Sequence, residues 1–466
     1  MLIKKDNIQV FFNLLSQVIL QGTNFILIMI FTRYMSTSNY GVVSIYQAYS
    51  TLFIAIIGLS IQGTIGAAFA HLNEKQQENY LASIYLLACV NYLIVNLVLF
   101  CIKDYVISFT GLDWYLIILM LAYSFGNFSF NFISIKYVYK RKAQVSCLLS
   151  LFVSVLMIGL SWLSIVQKSI AMPEYLGRIL GLSCPYVICI FITMVIIFRE
   201  GNPFQDFISS AKFCLPMSLP LVLHSISSVF LGQTDKIMLQ KLLNEVAMVG
   251  IYSFIVTFVH LLNSVYVALN NTWLPIYYDC LKYGDYERLK QRTKKYLCFF
   301  SYICVGFIMV APEIVKLFAN PSYWSGIAII PLSMVSIYFI FTYTFAVNFE
   351  LYSRKTNWIA IGTILAAIFN VFLNYLLIPI LSIYGAAFAT CFSYLLLFLF
   401  HHLYAKKISN NHYIYDLKFF VKDYIFVFIG IIMFYVFANI AIVRWCFAIV
   451  LAIVIMLNFK KNKVFF

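Results

Sequence analysis

Apolar residues run along this chain in long blocks, each close to the roughly 20 residues that carry a helix across about 30 Å of hydrocarbon. Fourteen blocks can be drawn, at 10–32, 42–69, 81–102, 114–135, 145–166, 176–198, 213–240, 247–272, 296–318, 325–349, 358–380, 383–403, 419–439 and 441–459. Polar residues gather in the short stretches between them. The period-two alternation of a lipid-facing barrel is missing, and each block is too long for a barrel strand of about 9–11 residues. Helices are then the way these segments satisfy their backbone in lipid. The pattern predicts an all-α integral membrane protein with about 14 transmembrane helices.

Charge gives the predicted spans a direction. About three-quarters of the 32 Lys and Arg residues fall on one side if the N-terminus is inside, the bias expected of short cytoplasmic loops. Both termini are therefore expected to be cytoplasmic, and the first apolar block, which has no small-residue cleavage site after it, reads as a retained helix. The formal net charge of +15 is scattered over many short loops and forms no single basic face, so no nucleic-acid partner is expected. Only 11% of the 466 residues are charged, against 63% hydrophobic, which excludes an ordinary soluble domain. The 11 cysteines show no C-x-x-C pair and the six histidines no metal spacing, so no metal is expected. No nucleotide-binding G-x-x-x-x-G-K-S/T occurs, and no cofactor is expected.

Three signals recur in order along the chain. Gly41 in SNYGVVSIYQ matches Gly250 in MVGIYSF, 209 residues later; Tyr139-x-Arg141-Lys142 matches Tyr352-x-Arg354-Lys355; and Tyr175, before Gly177, matches Tyr384, before Gly385. They predict two six-helix bundles of like orientation, at 1–209 and 210–405, related by a pseudo-two-fold axis around a central cavity. Residues 406–466 would add two peripheral transmembrane helices.

Polar residues inside the blocks mark the expected cavity. Helix 1 carries Gln17, Gln21 and Asn24 at helical spacing, then Arg33. The segment LGQTDKIMLQ places Gln233, Asp235 and Lys236 in the seventh block, with no opposite charge four residues away on the same helix. Their partners are expected elsewhere, Arg33 among them. A charge at the centre of a membrane helix costs about 2.5–3.5 kcal/mol on insertion scales and normally faces water or a polar cavity. Arg178 in YLGRILG is a candidate for bidentate phosphate binding. Glu313, Glu350 and Asp235 are candidates for ion coupling. Asn127, Asn131, Asn263, Asn270, Asn370 and Asn374 read individually as interhelical hydrogen-bonding residues.

The Gly-Tyr signals, QTDKIML leading into VGIYSF, the LGRILG turn and NVFLNYLLIPILSIYGAAFAT resemble the polysaccharide-exporting branch of the multidrug/oligosaccharidyl-lipid/polysaccharide exporter superfamily, in particular Wzx-type repeat-unit flippases. The resemblance covers about residues 5–405. It implies a transporter in the bacterial cytoplasmic (inner) membrane that flips an undecaprenyl-diphosphate-linked oligosaccharide by alternating access, for O-antigen (lipopolysaccharide) or capsule synthesis. Membrane lipids, a polysaccharide polymerase and a chain-length regulator are the implied partners. Asn24, Arg33, Arg178, Gln233, Asp235 and Lys236 would bind the substrate. The alternatives are an ion-coupled multidrug-type exporter of the same superfamily, or a membrane acyltransferase or polymerase. The first needs acids deep in the cavity; an acyltransferase needs a histidine paired with an acid or an amide in the membrane, and His224 and His260 show no such partner by spacing.

Overall fold

The computed structural model describes residues 2–165, 172–353, 355, 357–409 and 413–462. Fourteen of its helical stretches are long and apolar enough to cross a membrane, and the protein is a multi-pass, all-α membrane protein. Two compact units divide the chain, Met1–Ile237 and Met238–Phe466. The division falls part-way along a helix, downstream of the repeat boundary expected at 209.

In the first unit the long helices are α1 (Leu2–Tyr34), α2 (Thr37–Gly58), α4 (Glu74–Cys101), α6 (Trp114–Tyr139), α7 (Ala143–Ile165), α8 (Glu174–Glu200) and α9 (Phe207–Leu243). Two short ones, α3 (Ile65–His71) and α5 (Lys103–Thr110), lie between. The second unit holds α10 (Val246–Val259), α11 (Leu261–Tyr283), α12 (Tyr286–Phe318), α13 (Ile330–Tyr352), α14 (Asn357–Leu381) and α15 (Ile383–Ile408). It ends with α16 (Leu417–Val436) and α17 (Ala441–Asn462).

Where an apolar block and a helix differ, the backbone gives the reason. The block at 42–69 is not one span: α2 stops at Gly58, and Leu59 and Ser60 turn into the left-handed region at φ 47° and 50°. A side chain on α4 holds this end, because Asn91 Nδ2 donates to the carbonyls of Ile56 (2.9 Å) and Ile57 (3.0 Å), which the helix leaves without partners. The block at 247–272 lies within one span, Val246–Tyr283, in which His260, still in the right-handed region, marks the junction of α10 and α11.

The repeated signals occupy matching places. Gly41 and Gly250 each stand four residues past the first residue of their helix, α2 and α10. Tyr139 and Tyr352 are the last residues of α6 and α13, while Tyr175 and Tyr384 are the second residues of α8 and α15. Arg354 lies outside the described residues. Within the first unit α8 packs along both α6 and α7, and within the second α15 packs along both α13 and α14.

Lipid supplies little hydrophobic drive between helices, so small residues and polar contacts hold them. Gly177 and Gly181, four apart on α8, let α7 approach: a Cβ on Gly181 would lie 2.1 Å from Ser161 Oγ and 2.8 Å from the Ser161 backbone nitrogen. Ser16 and Ser150 hydroxyls meet at 2.5 Å between α1 and α7. Lys136 of α6, fully buried, stands 2.9 Å from Glu78 of α4 and 2.8 Å from Glu200 of α8, and Lys140 pairs with the same two carboxylates. Burial alone would lower the Lys140 ammonium's pKa, but the hydrogen bonds to Glu78 and Glu200 outweigh it and hold the group above its ordinary value. In the second unit α17 lies along α12, where Arg444, 2% exposed, pairs with Glu313 and also donates to the carbonyls of Phe437 (3.1 Å) and Met309 (3.3 Å).

Candidate functional site

The α1 helix has two unlike faces. Ser16, Thr23, Leu27 and Phe31 are buried, a stripe at helical spacing, while Gln17, Gln21 and Asn24 stay exposed and Arg33 is exposed at the last turn. The expected polar stripe is therefore a face that the protein leaves uncovered.

On α9 Asp235 is 3% exposed, and Gln233 and Lys236 are half-buried. Lys236 has its partner on its own helix: Nζ donates to Gln233 Oε1 at 2.9 Å. Asp235 Oδ1 accepts from the backbone N–H of Lys236 at 2.9 Å. An uncharged amide three residues back thus meets the ammonium that had been expected to look outside the helix, and positions i and i−3 share a helix face.

Of the three cationic substrate-site candidates, Arg33, Arg178 and Lys236, Arg178 is the most enclosed. It lies one turn into α8 and is 5% exposed. Its Nη1 donates to Ser161 Oγ of α7 at 3.2 Å, and the guanidinium carbon is 5.2 Å from the centre of the Phe31 ring of α1. Tyr123 of α6 and Tyr186 of α8 meet edge to face beside it, ring centres 5.4 Å apart, and Tyr40 of α2 completes an aromatic surround. The Gly177–Gly181 pair that brings α7 close is what puts Ser161 within reach. Glu174, one turn earlier, is engaged instead by Asn39 at 2.9 Å. Among the described residues Arg178 has no carboxylate partner. A guanidinium has five N–H donors in a planar fork, so this one keeps most of its capacity for an anion or a sugar oxygen.

Of the acids considered for coupling, Glu313 is tied to α17 through Arg444 and through Trp445 Nε1 at 3.2 Å. Glu350 is different. Its Oε1 is 2.8 Å from Nδ1 of His401 on α15, and both side chains are 0% exposed. Among the described residues Glu350 Oε2 and His401 Nε2 have no further hydrogen-bond partner. The neighbouring His402 meets the Tyr413 hydroxyl at 3.2 Å. In the α14 helix Asn370 and Asn374 are fully buried and bonded to each other at 2.9 Å, with Thr390 of α15 at 3.5 Å from Asn370. Asn270 and Asn348 meet at 3.1 Å.

His401 and Lys136 are what a reading of the chain alone passes over. His401 stands 51 residues from Glu350, next to a second histidine, at no metal-ligand spacing. Lys136 looks like an ordinary basic residue near a helix end, and only the packing of α4 and α8 reveals two carboxylates around it. The Glu350–His401 pair satisfies the acid-and-histidine description of an acyltransferase in composition only, because it is closed to any reactant that a catalytic pair would have to touch.

This architecture has relatives. It superposes with a TM-score of 0.73 on a structure titled lipid II flippase MurJ in an inward closed conformation, at 12% identity, covering 98% of this chain and 99% of that one. An inward-facing multidrug resistance transporter of the MATE family gives a TM-score of 0.59 at 15% identity, covering 86% and 96%. The first is named as a flippase and the second as a transporter, and the fold is shared with them. In sequence the chain is 21% identical over 353 residues to the Lsg locus putative protein 1 of Haemophilus influenzae, covering 74% of this chain and 85% of that protein. Residues 8–279 match the family described as polysaccharide biosynthesis protein. With more than half its length in that match, the chain belongs to the polysaccharide biosynthesis protein family.

Proposed function

We propose that this protein flips an undecaprenyl-diphosphate-linked oligosaccharide repeat unit from the inner to the outer face of the bacterial cytoplasmic membrane, supplying O-antigen or capsule assembly. The observation that carries the reading is the combination of a polysaccharide biosynthesis family sequence with the fold of a membrane flippase. The neighbour of highest superposition quoted above moves a lipid-linked sugar by name, and the same chemistry suits this chain.

A diphosphate cannot cross hydrocarbon bare, since an ionised group in a medium of dielectric about 4 loses tens of kcal/mol of hydration. The protein has to replace that hydration. Arg178 would take phosphate oxygens on its fork, with Lys236 and Arg33 adding charge and Asn24 and Gln233 meeting sugar hydroxyls. Aromatic rings such as Tyr123 and Tyr186 offer apolar sugar faces a surface, while the polyprenyl tail stays in lipid. At 5% exposure Arg178 is closed to a head group here, so binding requires α7 and α8 to part or the substrate to enter from the α1 face.

Coupling is assigned to Glu350 with His401, an acid and an imidazole 2.8 Å apart and both closed to solvent, with Asp235 as a second site. Alternating access would carry the change from one face to the other. Polysaccharide polymerase and chain-length regulator would act on the product. A multidrug-type exporter of the same fold is the competing reading, favoured by the likeness to the MATE structure.

Deleting the gene and extracting lipids separates the two. Accumulation of a single lipid-linked repeat unit, with loss of surface polymer and the polymerase gene intact, supports flipping. Unchanged polymer without an accumulating intermediate rejects it in favour of small-molecule export.

A further inference from the structure

The foot of α12 and the first turns of α16 enclose a cavity of about 410 Å³ in the second unit. Lys290 and Lys294 enter it from α12 and Lys418 and Lys422 from α16, each pair four residues apart and so on one helix face. Asp416 and Asp423 also line it. Four ammonium groups against two carboxylates leave a formal +2, and Asp416 is already taken by Lys406 at 2.7 Å. Lys294 additionally lies 5.8 Å from the centre of the Phe419 ring. Lysines that merely follow the topology of a membrane protein splay outward along loops. These four converge.

The depth of the cavity identifies what it meets. Leu417 opens the apolar span of α16, so Lys418 and Lys422 stand in the first two turns of a membrane helix, at headgroup level. A second, almost wholly apolar groove of about 490 Å³ runs on the adjoining stripe of the same helix, lined by Leu417, Val421, Ile425 and Phe428 against Phe398 and Leu399 of α15. One helix therefore presents a cationic pocket and an apolar groove side by side. Basic pockets between membrane helices are where anionic lipid headgroups bind.

We propose that the α12–α16 pocket is a binding site for a resident acidic phospholipid, whose phosphate sits among Lys290, Lys294, Lys418 and Lys422 while an acyl chain follows the groove on α16. The site holds the foot of α16 against α12. It is separate from the residues assigned to the transported substrate and does not depend on that assignment.

The test uses the full-length protein, stripped of lipid in detergent and returned to phosphatidylglycerol, to phosphatidylcholine or to inorganic phosphate, with bound lipid counted by native mass spectrometry. Wild type retains phosphatidylglycerol, and the double variant Lys294→Gln with Lys422→Gln binds it about 25-fold more weakly, at roughly fivefold per lysine. Lys294→Arg with Lys422→Arg keeps binding, and wild-type binding falls between about 0.1 M and 1 M salt as screening shortens. Equal retention of phosphatidylcholine, displacement of the lipid by inorganic phosphate at equal concentration, or no change in the Gln variant would each overturn the proposal. Should the Gln variant not fold, salt-independent retention by wild type overturns it as well.

Discussion

Replacing Glu350 by Gln removes a charge from a pair wholly closed to solvent, and the geometry sets what that does. Gln keeps an oxygen where Oε1 stands, 2.8 Å from His401 Nδ1, so the hydrogen bond survives without its charge assistance. Charged hydrogen bonds contribute about 1.5–3 kcal/mol and neutral ones about 0.5–1.5, so the loss is about 1 kcal/mol. Glu350→Ala is harsher, because it strands a 0% exposed imidazole, and breaking a buried pair costs about 3–5 kcal/mol. For a unit of this length each kcal/mol moves a melting midpoint by about 2–4 °C. Glu350→Gln should then lower the temperature at which half of the detergent-solubilised protein stays monodisperse by about 2–4 °C, and Glu350→Ala by about 6–20 °C. Size-exclusion survival after heating measures both. Transport by Glu350→Gln is then compared with wild type across pH: a pair that carries the coupling proton loses its pH response when one partner cannot titrate. Glu350→Gln protein with an unchanged pH profile would falsify the coupling role, and an Ala variant as mild as Gln would refute the closed, paired geometry. Among the described residues the titratable side chains facing the pair include Tyr343 of α13, its ring centre 5.9 Å from that of His401, Tyr404 of α15 and Tyr413 of the following segment.

Further outcomes follow from other residues. Arg178→Gln should cut transport about 10- to 150-fold, the worth of one charged hydrogen bond to phosphate, and Arg178→Lys should recover only part because ammonium lacks the planar fork; accumulation of the lipid-linked intermediate at equal protein level reads both. Lys136→Met preserves the packing of the stem but leaves Glu78 and Glu200 facing Lys140 alone, and is expected to destabilise by about 3–5 kcal/mol. Adding Glu78→Gln to it should return part of that loss, whereas additive damage in thermal survival would show that the four groups do not act as one network. At the α16 pocket Asp416 is held below its ordinary carboxyl value by the hydrogen bond from Lys406. Its pairing with Lys406 is therefore complete above the unfolded carboxyl value and lost only as pH falls through the lowered one.

The spans were legible because lipid imposes a length and a composition that few other constraints can imitate, and Gly41, Tyr139 and Tyr175 do hold the same positions in their helices as Gly250, Tyr352 and Tyr384. Helix ends were less so. An apolar run through Leu59 carries no trace of the left-handed turn there, which depends on Asn91 of another helix. Pairings were the least legible: Glu313 meets Arg444 from 131 residues away and Lys136 meets Glu200 from 64, and periodicity within one helix cannot say which helix lies beside it. The Lys236–Gln233 contact is an exception of another kind, local enough to be read but lost when only opposite charges four residues away are weighed.

The most direct test of flipping uses the purified protein in liposomes loaded with a labelled lipid-linked repeat unit on both leaflets, challenged from outside with a glycosidase that cannot cross. Liposomes with wild-type protein should expose the inner-leaflet half to cleavage at a rate set by protein content, and Arg178→Gln liposomes should do so far more slowly. Cleavage that stops at the outer leaflet in wild-type liposomes, as in protein-free ones, would contradict the assignment of this chain as a flippase of lipid-linked sugars.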